Sequence, residues 1–266
     1  MPKTVLVIGS APEAVEARNY DARGIDHIVA INNAWQVRPD WTHLVHPEDF
    51  PPERRPAPAA GQNIVTYRDY VPSNNRFGGV IYAGGTMAFS TAYWVLDALA
   101  PDIMGFCGCD MVYDRDGGQS HFYGNGEADP LRRDPTLQSL EAKANRLAVL
   151  AAEEGCLCVN LSGLPRSRLT FPKMMPAMLA GDLAEFHRSG LTDLRDRVVP
   201  SAREKASALE REKNIVVPGG DYWNAPGKLD AEALASIDAL WLEALSAPPA
   251  TQGGKDPSPK VCDEPE

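Results

Sequence analysis

No run of lysine or arginine occurs in the 266 residues, and acidic side chains outnumber basic ones 36 to 26, leaving a net charge of −10. Gripping a nucleic-acid backbone takes clustered cations, so this balance argues against a nucleic-acid-binding role. An acidic small-molecule ligand stays open. Nowhere does the chain approach the roughly 18 consecutive apolar residues of a membrane-spanning helix, and no transmembrane span is expected. The opening Met-Pro-Lys-Thr-Val-Leu-Val-Ile lacks the basic lead and separate apolar stretch of a secretory signal. Five cysteines are an odd number in a long chain, which fits reduced thiols better than a disulfide framework and suggests a cytoplasmic protein. Cys107-x-Cys109 and Cys156-x-Cys158 do not have the spacing of a zinc site and read as buried core thiols. No internal repeat is evident.

Hydrophobic residues make up 44% and charged residues 23%, enough for a substantial core, while 22 glycines and 23 prolines predict many turns. Val5–Ile8, His27–Ile31, Thr42–Val45, Asn63–Tyr67, Asp102–Cys109 and Cys156–Leu161 read as short strands, most of them stopped by polar or glycine-rich residues. Between them, Glu13–Arg18, Met87–Leu99 and Leu137–Glu154 have the composition or spacing of helices, the second of them buried, and Gly155 sits where a helix cap belongs. The alternation predicts an α/β fold, a Rossmann-like, mostly parallel sheet with helices on both faces, over residues 1–164. Met175–Arg188, Ser201–Lys213 and Ala231–Leu245 predict a helical appendage over 165–246, and 247–266 is too poor in apolar residues to fold alone.

Ligands of open parallel sheets bind at the carboxyl ends of strands, so the loops there hold the candidate site. Gly9, Ser10, Ala11 and Pro12 follow the first strand. They can bring backbone N–H groups and a helix start toward a phosphate, although they match neither Gly-x-Gly-x-x-Gly nor a P-loop and could form an ordinary tight turn. Asn32 and Asn33 follow the second strand with amides suited to a base or ribose, or to a turn. His46 ends the third, as a donor to ligand or as a turn cap. Gly85 and Thr86 precede the buried helix, and Thr86 also suits its N-cap. After the fifth strand come Gly108, Asp110 and Tyr113, then a loop containing His121 and Tyr123, where the imidazole can serve as general base or be an ordinary surface-loop histidine. Asp114-x-Asp116 has the form of a divalent-cation motif but reads as a solvated loop, and no metal site is expected. The Met174, Met175 and Met178 cluster and Trp94 read as helix packing.

In order, Val-Leu-Val-Ile-Gly-Ser-Ala-Pro, Ile-Asn-Asn-Ala-Trp, Val-His-Pro-Glu-Asp-Phe, the helix opening at Thr86, Cys-Gly-Cys-Asp and Ser-His-Phe-Tyr-Gly resemble motifs of the bacterial CMP-sialic-acid-dependent sialyltransferases that act on lipooligosaccharide. They are similar also to motility-associated glycosyltransferase-like and pterin-diphosphokinase-like Rossmann proteins. The resemblance covers scattered motifs between residues 4 and 162. It implies that Gly9, Ser10 and Pro12 hold CMP, that Asn32 and His46 take the places of two family asparagines, and that Thr86 and Met87 replace a Thr-Ser pair. Gly108, Cys109 and Asp110 correspond to Gly-Ile-Asp, His121 to the general base, and Tyr113 and Tyr123 to tyrosines that meet the leaving phosphate. The chain departs from the family at Gly84, where an arginine is usual, and in a shorter segment between Asp110 and His121. The implied activity is transfer of a sugar from a CMP-sugar donor to a glycan or small acceptor, without a metal or other cofactor, by a chain that could be a homo-oligomer. Two alternatives are a magnesium-dependent diphosphokinase using Asp110, Asp114 and Asp116, and a non-catalytic nucleotide-binding protein.

Overall fold

The computed structural model describes residues 1–113, 118–125, 139–224 and 229–246. Asp114, Asp116 and the expected tail at 247–266 therefore lie outside the described residues. Six strands, β1 (Thr4–Ile8), β2 (His27–Ile31), β3 (His43–Val45), β4 (Asn63–Val65), β5 (Ile103–Cys107) and β6 (Leu157–Asn160), form one sheet in the order β4-β3-β2-β1-β5-β6. Every pairing is parallel, with Val7 opposite Val29 on one side and Phe106 on the other. All residues of β1 and β5 are buried rather than alternate ones, as expected for strands covered on both faces. The fold is therefore the expected α/β, Rossmann-like parallel sheet.

The chain lays down β2, β3 and β4 on one side of β1, then returns to place β5 and β6 on the other. The order reverses between β1 and β5, which opens a crevice at their carboxyl ends.

Seven α-helices are described: α1 (Tyr67–Arg76), α2 (Val80–Ala83), α3 (Met87–Trp94), α4 (Leu140–Glu153), α5 (Ala184–Arg197), α6 (Pro200–Lys213) and α7 (Ala231–Glu243). Helix α3 is the buried helix read from sequence, and its last turn widens into a π-turn over Val95–Leu99. Tyr67, expected at the end of a strand, instead opens α1. Thr66 and Asp69 form a capping box there, the Thr66 N–H donating to Asp69 Oδ2 at 2.8 Å, and this local pairing stops β4 at Val65. The expected helix at Glu13–Arg18 is a 3-10 helix over Pro12–Asn19. Met175–Arg188 is interrupted: a 3-10 turn spans Pro176–Ala180 and α5 starts only at Ala184.

Helices α6 and α7 are fastened to α4 by buried charge. Arg146 of α4 donates to both carboxylate oxygens of Glu210 on α6 at 2.8 and 2.9 Å and to the Tyr93 hydroxyl at 2.8 Å. Trp241 of α7 donates to the same carboxylate at 2.7 Å. One turn earlier on α4, Lys143 pairs with Asp238 of α7 at 2.9 Å.

Candidate functional site

Backbone approach builds the crevice between β1 and β5. The Gly9 N–H donates to the Cys107 carbonyl at 2.8 Å and the Ala11 N–H to the Gly108 carbonyl at 3.1 Å, so the two loops zip together beyond the sheet. A side chain at residue 9 would collide with the Gly108 carbonyl oxygen and come within 2.7 Å of Cys109 Sγ. Gly108 has φ +66°, and a Cβ on it would stand 2.6 Å from that of Ala14. Both positions demand glycine, the first for space alone and the second for space and backbone conformation.

A third loop closes one side. His121 and Gly124 exchange backbone hydrogen bonds at 3.1 and 3.0 Å, and the Phe122 N–H donates to the Ser10 carbonyl at 3.0 Å. This tie hangs the His121 turn on the first loop. His121 Nδ1 lies 2.9 Å from Ser120 Oγ, and its ring lies 5.0 Å from that of Tyr123. With Nδ1–H donating to the hydroxyl, Nε2 carries the lone pair of a base.

The opposite side is the start of α3. Gly84 and Gly85 have φ +110° and +59°, which turns the chain so that Thr86 caps the helix, accepting from the Phe89 N–H at 3.3 Å. Met87 and Ala88 line the cleft, and their N–H groups, the first two of the helix, donate to no group among the described residues. Such amides, with the partial positive charge of a helix start, suit an anion. In the first loop the amides of Gly9 and Ala11 are consumed by the β5 loop. Only Ser10 and, beyond Pro12, Glu13 keep theirs unpartnered among the described residues. The first loop thus has fewer unpartnered amides than its sequence suggests, and the start of α3 adds two more to the cleft wall.

These walls enclose a cavity of about 160 Å³ lined by Gly9, Ser10, Ala11, Asn32, Thr86, Gly108, Tyr113, His121 and Tyr123, together with Ile31, Met87, Ala88, Cys109 and Met111. Nine of the residues singled out from sequence meet here. Asn32 adopts a left-handed φ of +52°, which asparagine tolerates, and its Oδ1 is buried with no partner among the described residues. Cys109 lines the cleft as an inert group, because burial, with Cys107 beside it, pushes its thiol well above the usual range. Among the described lining residues there is no lysine or arginine.

Five expected site residues are not gathered into the cleft. Pro12 begins the 3-10 helix, and Gly85 lies behind Thr86, donating to the Val80 carbonyl at 3.3 Å. Asn33 is buried off the cleft. His46 ends β3, two strands from β1, where its Nδ1 lies 2.8 Å from the Pro47 carbonyl and its ring packs on Phe50. Asp110 departs most from expectation, being 1% exposed and facing β6, where its Oδ1 accepts from Asn160 Nδ2 at 3.2 Å. Its Oδ2 is buried with no partner among the described residues, and Asp110 does not line the cleft. The next residue, Met111, has a left-handed φ of +52° and lines the cleft again.

The amides of Met87 and Ala88 were not picked out from sequence, although Thr86 as an N-cap already implied two unpaired N–H groups just beyond it. Among the described residues no three His, Cys, Asp or Glu side chains cluster to hold a metal, and no helix is long and apolar enough to cross a membrane. Comparison with protein-family models, with curated proteins and with solved structures gives no match.

Proposed function

We propose that the chain is a glycosyltransferase that takes a sugar from a nucleotide-activated donor of the CMP-sugar kind, with the nucleotide in the crevice between β1 and β5. The observation that carries this reading is the convergence of Ser10, Asn32, Thr86, Tyr113, His121 and Tyr123, drawn from separate loops, around one cavity at the reversal of strand order. Asn32 offers an amide to the base or ribose. The Met87 and Ala88 amides face the phosphate, and a single phosphate, a diester in the donor and a monoester in the departing CMP, suits a wall of amides and hydroxyls. His121 Nε2 takes the proton of an acceptor hydroxyl as its oxygen bonds to the anomeric carbon. The bond from that carbon to the phosphate oxygen breaks, and CMP leaves with the electron pair. The Tyr113 and Tyr123 hydroxyls donate to the leaving phosphate.

A thermal-shift panel of CMP, UDP, GDP, ADP and ATP, each with and without magnesium, tests the donor, since a ligand that binds only the native state raises its melting temperature. A magnesium-independent shift with CMP is expected. A shift confined to ATP with magnesium would replace glycosyl transfer by phosphoryl transfer, and a UDP or GDP preference would keep glycosyl transfer with a different donor.

A further inference from the structure

Between Gly155 and Gly181 the chain carries Arg166, Arg168 and Lys173 and no acidic residue, in a protein of net charge −10. This stretch includes the loop that leaves the carboxyl end of β6, the neighbour of β5, on the same sheet edge as the cleft. The loop is tied to the cleft wall: the Arg168 N–H donates to the Asp110 carbonyl at 3.0 Å, and Asp110 lies between the lining residues Cys109 and Met111. Asn160 Nδ2 bridges Asp110 Oδ1 and Ser167 Oγ at 3.2 and 3.0 Å. Lys173 Nζ crosses the loop to donate to the Ser162 and Leu164 carbonyls at 2.8 and 3.2 Å, adding its charge there.

Within this fixed loop the three cations differ in what remains free. Lys173 is spent on carbonyls, and Arg168 pairs with Glu141 at 2.9 Å. Arg166 is exposed and has no hydrogen bond or ion pair among the described residues. Two residues span at most about 7 Å, so the Arg166 backbone stays close to the wall that Asp110 anchors.

We infer that the β6 loop is an anion subsite in which Arg166 receives an oxyanion, a phosphate or carboxylate, carried by the acceptor. The inference rests on the glycosyl-transfer reading for the word acceptor. A planar guanidinium engaged by no other described side chain grips either group through paired N–H bonds, and the charge of Lys173, which sits on carbonyls rather than on a carboxylate, adds to it. A neutral sugar gains nothing from this loop.

The test is calorimetric titration of the full chain with galactose, galactose 6-phosphate and galacturonic acid, repeated on Arg166→Gln and on Arg188→Gln. Arg188 lies on the exposed side of α5, next to His187, whose ring reaches the Gly155 carbonyl at the other end of β6, so its loss changes net charge equally at a distance. We expect about a tenfold preference for at least one anionic sugar over galactose, lost in Arg166→Gln and kept in Arg188→Gln. The two anionic arms tell phosphate from carboxylate. Equal binding of neutral and anionic sugars, or a preference that survives Arg166→Gln, overturns the subsite. CMP titrated into the same samples separates the two claims. CMP binding without an anion preference removes the subsite alone, and an Arg166-dependent preference without CMP binding removes the donor reading alone.

Discussion

His121 is held in the cleft by, among other contacts, the paired exchange with Gly124, the Phe122 tie to Ser10 and the Ser120 hydroxyl at Nδ1. Replacing it with alanine leaves those backbone bonds intact, so His121→Ala should bind CMP as tightly as wild type and lose transfer activity by a factor of about 10² to 10⁴, the range of a lost general base. Single-turnover rates beside a CMP titration would show it, and undiminished transfer would remove the residue from the mechanism. The glycines make a contrasting prediction. Gly108→Val must place a branched side chain at φ +66° and against Ala14, so it should destabilise the fold by at least about 1–3 kcal/mol and abolish CMP binding together with stability in urea titrations. The thiols supply a third check at this scale. Burial, above all, pushes Cys107 up to about 11, and Cys107, Cys109, Cys156 and Cys158 are all buried, so none of the four should be alkylated by iodoacetamide at pH 8 until the protein is unfolded, as counted by mass.

Among the elements, the start of α3 carries two jobs in one side chain. Thr86 is 5% exposed and its hydroxyl caps the helix, so Thr86→Ala should cost about 1 kcal/mol of stability and Thr86→Ser little. If the Met87 and Ala88 amides hold the phosphate, the alanine variant should also weaken CMP, with serine restoring it. The paired strands β2 and β3 set a pH response. Val29 stands opposite His43, whose ring is 5.4 Å from that of His27 and 5.3 Å from that of Trp94. Burial, helped by the His27 charge, pulls His43 down to about 4 from its ordinary 6.5. A base with a lowered folded value binds fewer protons folded than unfolded, so its contribution is fully present above 6.5 and is lost as pH falls toward 4. Melting temperature should decline through that window, and His43→Phe should flatten the decline.

For the molecule as a whole, α6 and α7 are joined to α4 by the Arg146–Glu210 and Lys143–Asp238 pairs, both nearly sealed from solvent. Removing one member strands its partner's charge, so Arg146→Met should cost about 3–5 kcal/mol in urea unfolding, and Arg146→Met with Glu210→Leu should recover much of that. Burial alone would raise the Glu210 carboxyl, but the Arg146 charge beside it, with hydrogen bonds from Arg146 and Trp241, brings it below its ordinary 4.5. Its stabilisation is therefore present above pH 4.5 and lost as pH falls through the lower folded value. Lys143 also links this joint to the site, since its side chain packs so close to Gly84 that a Cβ there would stand 2.9 Å from its Cγ. The turn that aims α3 at the cleft thus rests on the charged core of the helical segment.

The parallel sheet was legible in the sequence because each strand is a short β-branched or apolar run stopped by glycine, asparagine or proline, and those local preferences agree with burial on both faces. The loops after β1 and β5 were legible as site because carboxyl edges of such sheets bind ligands whatever the loops contain. Long-range placement was not. Strand order alone put His46 two strands from the crevice, and hydrogen bonds from Asn160 and Arg168, some 50 residues on, hold Asp110 toward β6 while its neighbours line the cleft. The amides of Gly9 and Ala11 are spent on partners about 100 residues away, which no local pattern records. Composition and periodicity act over a few residues and so determined the elements, whereas which groups face one another depends on hydrogen bonds and packing between distant segments, and only the tertiary structure decided that.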